Sequence, residues 1–397
     1  MKKNKFLHFY IFSNNFTIGI YFSIITLYIL NKGIRPEWIG YLASLKALIT
    51  LLFEIPTGIF ADYYGHKNSI LLGFLFSIFS TILFITSNSL FYLILIFFLE
   101  GISNALLSGS STAWLLETFT NSTKEYDDFF RKTNIWSLIS KISGSLIGGY
   151  LFYLKVDYPI YLILFVKIIL LSIFLIFAKI SFKFNKRKKH LNFYIGFNNI
   201  KNSLFEIYKN KILFSIFTTS TVFILGINAI FIYWQPLFIN KLNNNISYIV
   251  GYIYTLTTFS SILGSYLLKK LKKFNQHYLF FYSLIIGGVL LISTALIKNI
   301  ILSLILYCGY NIILGITGPI RMTLINKNIN ENRALMLSLL SFFESSAIIF
   351  GGVLWGNIYK IVGYNLTIVI SGFFIIVSSI PFLFLKQKFK KTQTDFN

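Results

Sequence analysis

Long apolar stretches, separated by short polar ones, dominate the pattern of residues along this chain of 397 residues. A helix needs roughly 20 apolar residues to cross the hydrocarbon core of a bilayer, and twelve stretches reach about that length. The pattern therefore predicts an all-α membrane protein whose solvent is the bilayer rather than water. The predicted segments are 7–31, 37–61, 69–87, 90–117, 133–154, 158–180, 211–236, 246–268, 278–297, 299–322, 334–359 and 363–385.

The longest polar stretch lies between the sixth and seventh segments and is rich in lysine. It divides the chain into two six-helix halves, residues 1–180 and 211–397, joined by residues 181–210. We interpret 181–210 as a cytoplasmic linker that lies on anionic lipid, with a site for a regulatory partner as the alternative. A weak internal repeat supports the two halves, because Gly-Gly pairs at 148–149 and 351–352 fall at the same offset in segments five and eleven.

Composition and charge agree with a membrane location. Hydrophobic residues make up 55% of the chain and charged residues 12%, about half the charged fraction of a soluble protein. The net charge of +23 does not indicate a nucleic-acid partner, because the basic residues lie in alternate loops. Placing both termini in the cytoplasm puts most of the 36 Lys and Arg residues on that side, as the positive-inside rule requires. The outer loops then hold Lys32, Arg35, Lys155, Lys241, Lys298 and Lys360.

Several kinds of chemistry leave no signal in the sequence. The single cysteine, Cys308, lies inside an apolar stretch and allows no intramolecular disulfide. The chain has no G-x-x-x-x-G-K-[ST] run, so no ATPase is built in. The histidines are scattered and show no metal-ligand spacing. We therefore expect no enzyme activity, no cofactor and no metal site.

A short polar turn between segments two and three carries a distinctive motif. It reads G-I-F-A-D-Y-Y-G-H-K, in which Gly58, Asp62, Gly65 and Lys67 match the pattern G-x-x-x-D-[RK]-x-G-[RK]-[RK]. The turn resembles the loop between helices 2 and 3 of the major facilitator superfamily. Tyr63 departs from the basic residue of that pattern.

The resemblance implies twelve transmembrane helices in two pseudo-symmetric six-helix bundles, with a substrate site between them near the bilayer midplane. It also implies a gating role for Asp62. In the family this aspartate sits against the N-terminus of helix 11, where the helix dipole favours an anion, and holds the halves in the outward-open state. A second run, G-S-S-T-A-W-L-L-E from Gly109, resembles bacterial drug-efflux-like members.

Several charged residues lie deep inside the predicted spans, among them Lys46, Lys141 and Lys167. Glu100 is about ten residues from the outer end of its segment, or about 15 Å, and a carboxylate at that depth is costly unless it is paired, protonated or facing a cavity. We predict that Glu100 binds a proton or a cationic substrate, or else forms a structural pair with a neighbouring lysine. Glu344 is expected to pair with Lys46 or to take part in proton coupling. Lys141 occupies the position that corresponds to Glu344 in the repeat.

The fifth segment carries the run S-G-S-L-I-G-G. Gly144, Gly148 and Gly149 match the antiporter motif of the superfamily, G-P-x-x-G-G, with Ser145 where proline belongs. The motif implies export, whereas small residues that let helices pack closely are the alternative interpretation.

Polar and aromatic residues on other segments are candidates for the substrate cavity. Each of them alone is also typical of an interhelical hydrogen bond or an interfacial anchor. The candidates are Asn14, Asn228, Trp234, Gln235 and Asn311.

These observations favour a secondary active transporter that works by alternating access. The predicted activity is proton-coupled efflux of a small amphipathic compound or drug by a monomer in the plasma membrane. Uptake or exchange of a small metabolite is the first alternative, and a non-transporting receptor or scaffold is the second. The expected partners are the substrate, protons and the lipid bilayer.

Overall fold

The computed structural model describes residues 3–86, 89–120, 126–178, 203–242, 249–271, 274–329 and 333–383. Nearly all of these residues are helical. In chain order the helices are α1 (Lys3–Asn31), α2 (Glu37–Tyr64), α3 (His66–Thr86), α4 (Leu90–Phe119), α5 (Tyr126–Leu154), α6 (Tyr158–Ala178), α7 (Lys211–Lys241), α8 (Ile249–Leu271), α9 (Gln276–Leu296), α10 (Ile300–Asn328), α11 (Arg333–Val377) and α12 (Ile380–Leu383).

Within the described ranges, ten helices are long and apolar enough to cross a membrane. Two features explain the difference from the twelve predicted segments. The last two segments share α11, where Gly363 has a φ of 73° and a ψ of 178° that break the helix, a conformation that glycine adopts readily. Helix α8 overlaps the predicted segment 246–268 but is not among the ten. Each predicted segment thus overlaps a helix, and the all-α membrane fold is confirmed.

The described helices form two compact units. The first contains α1 to α6 together with residues 249–255 of α8. The second contains α7, the rest of α8, and α9 to α12. The boundaries at 1–180 and 211–397 stay predictions, because most of the linker 181–210 lies outside the described residues.

In the first unit, α1 packs along α5, and α4 packs against both α2 and α3. The α1–α5 contact is so close that a Cβ added to Gly144 would lie 2.2 Å from the backbone oxygen of Phe16. Aromatic side chains fill the space near the start of α1, where Phe6, Tyr10 and Trp114 are buried together. Burial of such large rings is a major source of packing energy.

In the second unit, α7 packs along α11, and α9 packs against both α10 and α11. Side chains of α11 bind the backbone of α7 directly. The indole nitrogen of Trp355 donates to the oxygen of Leu225 at 2.8 Å, and the hydroxyl of Ser371 donates to the oxygen of Gly226 at 2.8 Å. These two hydrogen bonds satisfy polar groups of α7 and α11 within the protein, as lipid requires.

Candidate functional site

A buried carboxylate on α4 is the centre of a small charge cluster in the first unit. Glu100 is 8% exposed. Its Oε2 atom accepts a hydrogen bond from the ammonium of Lys46 at 2.6 Å and another from the hydroxyl of Tyr21 at 3.0 Å. Three helices, α1, α2 and α4, thus contribute one side chain each to the cluster. Of these three residues, the sequence analysis did not single out Tyr21.

Close packing of α2 on α4 brings Lys46 to Glu100. A Cβ added to Gly101 would lie 2.7 Å from the side chain of Ile49 and 3.0 Å from the backbone oxygen of Lys46. The hydroxyl of Thr50 lies 3.2 Å from the oxygen of Gly101 and so also joins the two helices. The glycine directly after Glu100 is therefore what allows the ion pair to form at this spacing.

The cluster lies deep in the predicted spans. Glu100 is about ten residues from the start of α4, and Lys46 is about nine residues from the start of α2, which places both about 15 Å along their helices. Charges at this depth are rare in membrane proteins and mark functional sites unless they are fully paired. In this conformation the Oε2 atom of Glu100 is already engaged by Lys46 and Tyr21.

A second lysine belongs to the same electrostatic environment. The ammonium of Lys167 on α6 donates to the hydroxyl of Thr81 at 2.9 Å and contacts the oxygen of Ser77 at 3.3 Å. Lys167 also interacts electrostatically with both Glu100 and Lys46. The interior of the first unit therefore holds more positive than negative charge.

The second unit contains a separate ion pair. The guanidinium of Arg321 on α10 contacts a carboxylate oxygen of Glu344 on α11 at 2.5 Å, and both side chains are largely buried. The predicted pair between Lys46 and Glu344 is wrong, because each of these residues has a different partner. Arg321 was missed as a deep charge, although it lies seven residues before the end of α10.

Lys141 on α5 is half-buried and differs from the other deep charges. No hydrogen bond or ion pair joins its ammonium to any described residue, and only burial acts on it. Its backbone supports the α1–α5 contact, where a Cβ added to Gly19 would lie 2.2 Å from the oxygen of Lys141. The structure thus separates Lys141 from the pairs formed by Glu100 and Glu344.

The motif between α2 and α3 forms a tight turn. Gly65 ends α2 with a φ of 91°, a value that disfavours other residues. The ammonium of Lys67 donates to the backbone oxygen of Ala178 at 2.6 Å, which satisfies a carbonyl at the end of α6. Asp62 is exposed in the first unit. Among the described residues, nothing lies within 4 Å of a Cβ added to Gly58.

The glycines of α5 serve helix packing. Gly144 and Gly148 face α1, where a Cβ on Gly148 would lie 3.0 Å from Ile20. Gly149 lies next to Gly251 in the start of α8, which belongs to the same unit. Close packing of the helices accounts for these small residues, so their presence does not require a role in antiport.

The candidate cavity residues occupy different environments. The side chain of Asn228 donates to the oxygen of Ile348 at 3.0 Å and holds α7 on α11. Asn311 donates to the oxygen of Tyr307 in its own helix. The remaining candidates are Trp234 and Gln235, which are buried, and Asn14, which is half-buried.

Metal ligation has no support in the described part of the chain. No group of three or more His, Cys, Asp or Glu side chains there could hold a metal ion.

Comparison with known sequences identifies a family over most of the chain. The sequence model of the Major Facilitator Superfamily matches residues 7–345. An MFS-type transporter of Bacillus subtilis (strain 168), YxaM, is 31% identical over 265 residues, which cover 64% of this chain and 63% of that relative. The chain thus matches less than two thirds of the relative's own length.

Two solved transporters have a similar fold. The crystal structure of the nucleoside transporter NupG gives a TM-score of 0.76 at 14% identity and covers 96% of this chain and 99% of that chain. A POT family transporter, crystallised with a thioalcohol-conjugated peptide, gives 0.74 at 15% identity and covers 97% and 96%. At these identities the likeness shows the fold alone. Because the family match extends over most of the helices, this chain belongs to the Major Facilitator Superfamily.

Proposed function

We propose that this membrane protein is a secondary active transporter in which a proton on Glu100 drives alternating access. The observation that carries the proposal is the buried carboxylate of Glu100, held by one lysine and one tyrosine from two other helices. An ionisable residue inside a membrane span marks an ion or substrate pathway by default. Family membership supports transport as the activity.

Protonation would act through the ion pair. A neutral Glu100 no longer attracts the ammonium of Lys46, so the contact that joins α2 to α4 weakens. A ligand or proton shifts a conformational equilibrium only as far as it binds two states differently. The ion pair supplies that difference, because its charges balance only in the deprotonated form. The pair of Arg321 and Glu344 is a second candidate for the coupling site.

The proposed direction is efflux of a small amphipathic compound from the cytoplasm across the plasma membrane, by a monomer with both termini inside. The resemblance of Gly144, Gly148 and Gly149 to the antiporter motif supports this direction. In this scheme Asp62 stabilises the outward-open state, and the exposed position of its carboxylate at the end of α2 leaves it available for such a contact.

Uptake or exchange of a small metabolite is the second candidate. The printed titles of the similar solved structures name a nucleoside transporter and a transporter in complex with a conjugated peptide. The packing role of the α5 glycines also weakens the argument for antiport.

The test uses purified full-length protein in liposomes with an internal pH dye. A pH gradient is imposed, and proton flux is followed on addition of ethidium, tetraphenylphosphonium, uridine or dialanine. We expect one or more compounds to move protons in the wild type and none to do so in Glu100→Gln. The sign of the flux on compound addition separates export from uptake.

Glu117→Gln is the matched control. Glu117 lies on the same helix but is 68% exposed and forms only a long contact of 3.9 Å with His66. This variant should couple protons like the wild type. Proton coupling that persists in Glu100→Gln would refute the assignment of the proton site to Glu100. Proton coupling that is lost only in Glu344→Gln would assign the proton site to the pair of Arg321 and Glu344.

A further inference from the structure

Lys141 lies on the side of α5 opposite to the exposed apolar residues of that helix. The exposed apolar residues Ile139, Ile147 and Tyr150 share one side of α5. At 100° per residue, Lys141 lies on the opposite side of the helix. Its half-buried side chain therefore does not extend along a lipid-exposed surface.

The neighbours of Lys141 on its own side of α5 are small and closely packed. Gly144 lies against the backbone of α1. Ser145 is fully buried, and its hydroxyl lies 2.8 Å from that of Thr255 in the same unit. These contacts fix the α5 backbone within one turn of Lys141.

The ammonium of Lys141 has no counter-charge among the described residues. Lys46 is neutralised by Glu100, and Lys167 is held by Thr81 and attracted by the same carboxylate. No charged group of the described ranges acts on Lys141. A charge inside a membrane protein without a protein partner requires water or a bound ion in its place.

The charge balance of the first unit favours a negative occupant. Among the described residues of the first unit, three lysines lie deep in the predicted spans, Lys46, Lys141 and Lys167, against two carboxylates, those of Glu100 and Glu54. A cationic compound beside Lys141 would meet repulsion in a medium of low dielectric constant, where charge interactions are strong. An anionic group would instead receive the pairing that Lys141 lacks.

We propose that the transported compound carries an anionic group, a carboxylate or a phosphate, which binds the ammonium of Lys141. The proposal rests on the transport function proposed above and names its substrate class. A lysine ammonium is a compact point charge on a flexible stem, which suits a single anionic group on compounds of different shape. The amphipathic compound is thus an organic acid rather than a cationic drug.

The test measures binding to the full-length protein in nanodiscs by thermal shift, with matched pairs of compounds. Each pair differs in charge but little in shape: benzoate with benzamide, indole-3-acetate with indole-3-acetamide, and phenyl phosphate with phenol. The carboxylate and phosphate arms identify which anion is preferred. We expect the anionic member of at least one pair to stabilise the wild type more than its neutral partner.

Variants at position 141 assign that preference to the lysine. Lys141→Gln should lower the affinity for the anion about ten- to hundred-fold, the range of a charge-assisted hydrogen bond. Lys141→Arg should retain most of the binding. Lys155→Gln is the matched control, because Lys155 follows the end of α5 and contacts only the ring of Tyr158. The melting temperature without ligand should not fall in Lys141→Gln, since no interaction is lost.

Three results would overturn the proposal: equal stabilisation by charged and neutral partners, unchanged anion binding in Lys141→Gln, or no stabilisation by any anion of the panel. Failure of the proposed function gives a different result. Proton flux with ethidium that needs Glu100 but not Lys141 would overturn the anionic substrate and leave proton coupling intact. Anion binding that requires Lys141, with no proton flux for any compound, would overturn the proposed proton coupling and leave the anionic substrate class intact.

Discussion

The ion pair between Lys46 and Glu100 should stabilise the first unit through a measurable coupling energy. The side chain of Lys46 is 23% exposed and that of Glu100 is 10% exposed, at 2.6 Å separation. Lys46→Met leaves the carboxylate with the hydroxyl of Tyr21 and the more distant charge of Lys167. Removal of one partner of a buried pair costs about 3–5 kcal/mol, and we expect a loss of that size in Lys46→Met.

The double variant isolates the interaction energy of the pair from the effects of the two single substitutions. Lys46→Met combined with Glu100→Gln removes both charges, so neither is left buried and unpaired. We expect the double variant to be more stable than the sum of the two single losses by about 2–3 kcal/mol, within the usual range for contacting residues. The measurement is the midpoint of unfolding of the full chain by sodium dodecyl sulfate in mixed micelles, followed by tryptophan fluorescence.

A surface pair provides the control for this cycle. Glu117 lies 3.9 Å from His66 and its side chain is 68% exposed, and exposed pairs contribute about 0–1 kcal/mol. Glu117→Gln should therefore shift the midpoint little. Losses for Lys46→Met and Glu100→Gln that add within about 0.5 kcal/mol would refute the coupling of these two residues.

Three further substitutions test other contacts by the same unfolding measurement or by thermal melting. Gly144→Ala should destabilise the protein by about 1–3 kcal/mol, because the added Cβ would meet the backbone of Phe16. The control Gly109→Ala should change the stability little, because nothing lies within 4 Å of a Cβ there. Equal effects of the two substitutions would contradict the close packing at Gly144. Gly65→Ala should cost about 1 kcal/mol or more from its positive φ, and an unchanged midpoint would show that the turn relaxes. Lys241→Met loses three hydrogen bonds at the end of α7 and should cost about 1–3 kcal/mol; a stable variant would show that these bonds contribute nothing.

The helices and the family were predictable from the sequence because their signals are local. A run of roughly 20 apolar residues is enough to predict a membrane-spanning helix, and the turn at Gly65 depends on a few adjacent residues. The ends of the helices were less predictable. Helix α5 begins at Tyr126 rather than 133, and α10 continues to Asn328 rather than 322, since backbone hydrogen bonding does not stop where apolar residues end.

The chain by itself determined that charges lie deep in the membrane, because Glu100, Lys46 and Lys141 interrupt apolar runs. Only the tertiary structure decided their partners. Lys46 meets a carboxylate 54 positions away because a glycine lets α2 and α4 approach, and Glu344 meets Arg321 instead of Lys46. The same packing leaves Lys141 without a partner in the part of the chain that the structure describes. Charge can be read from single residues, whereas pairing depends on which faces of distant helices come together.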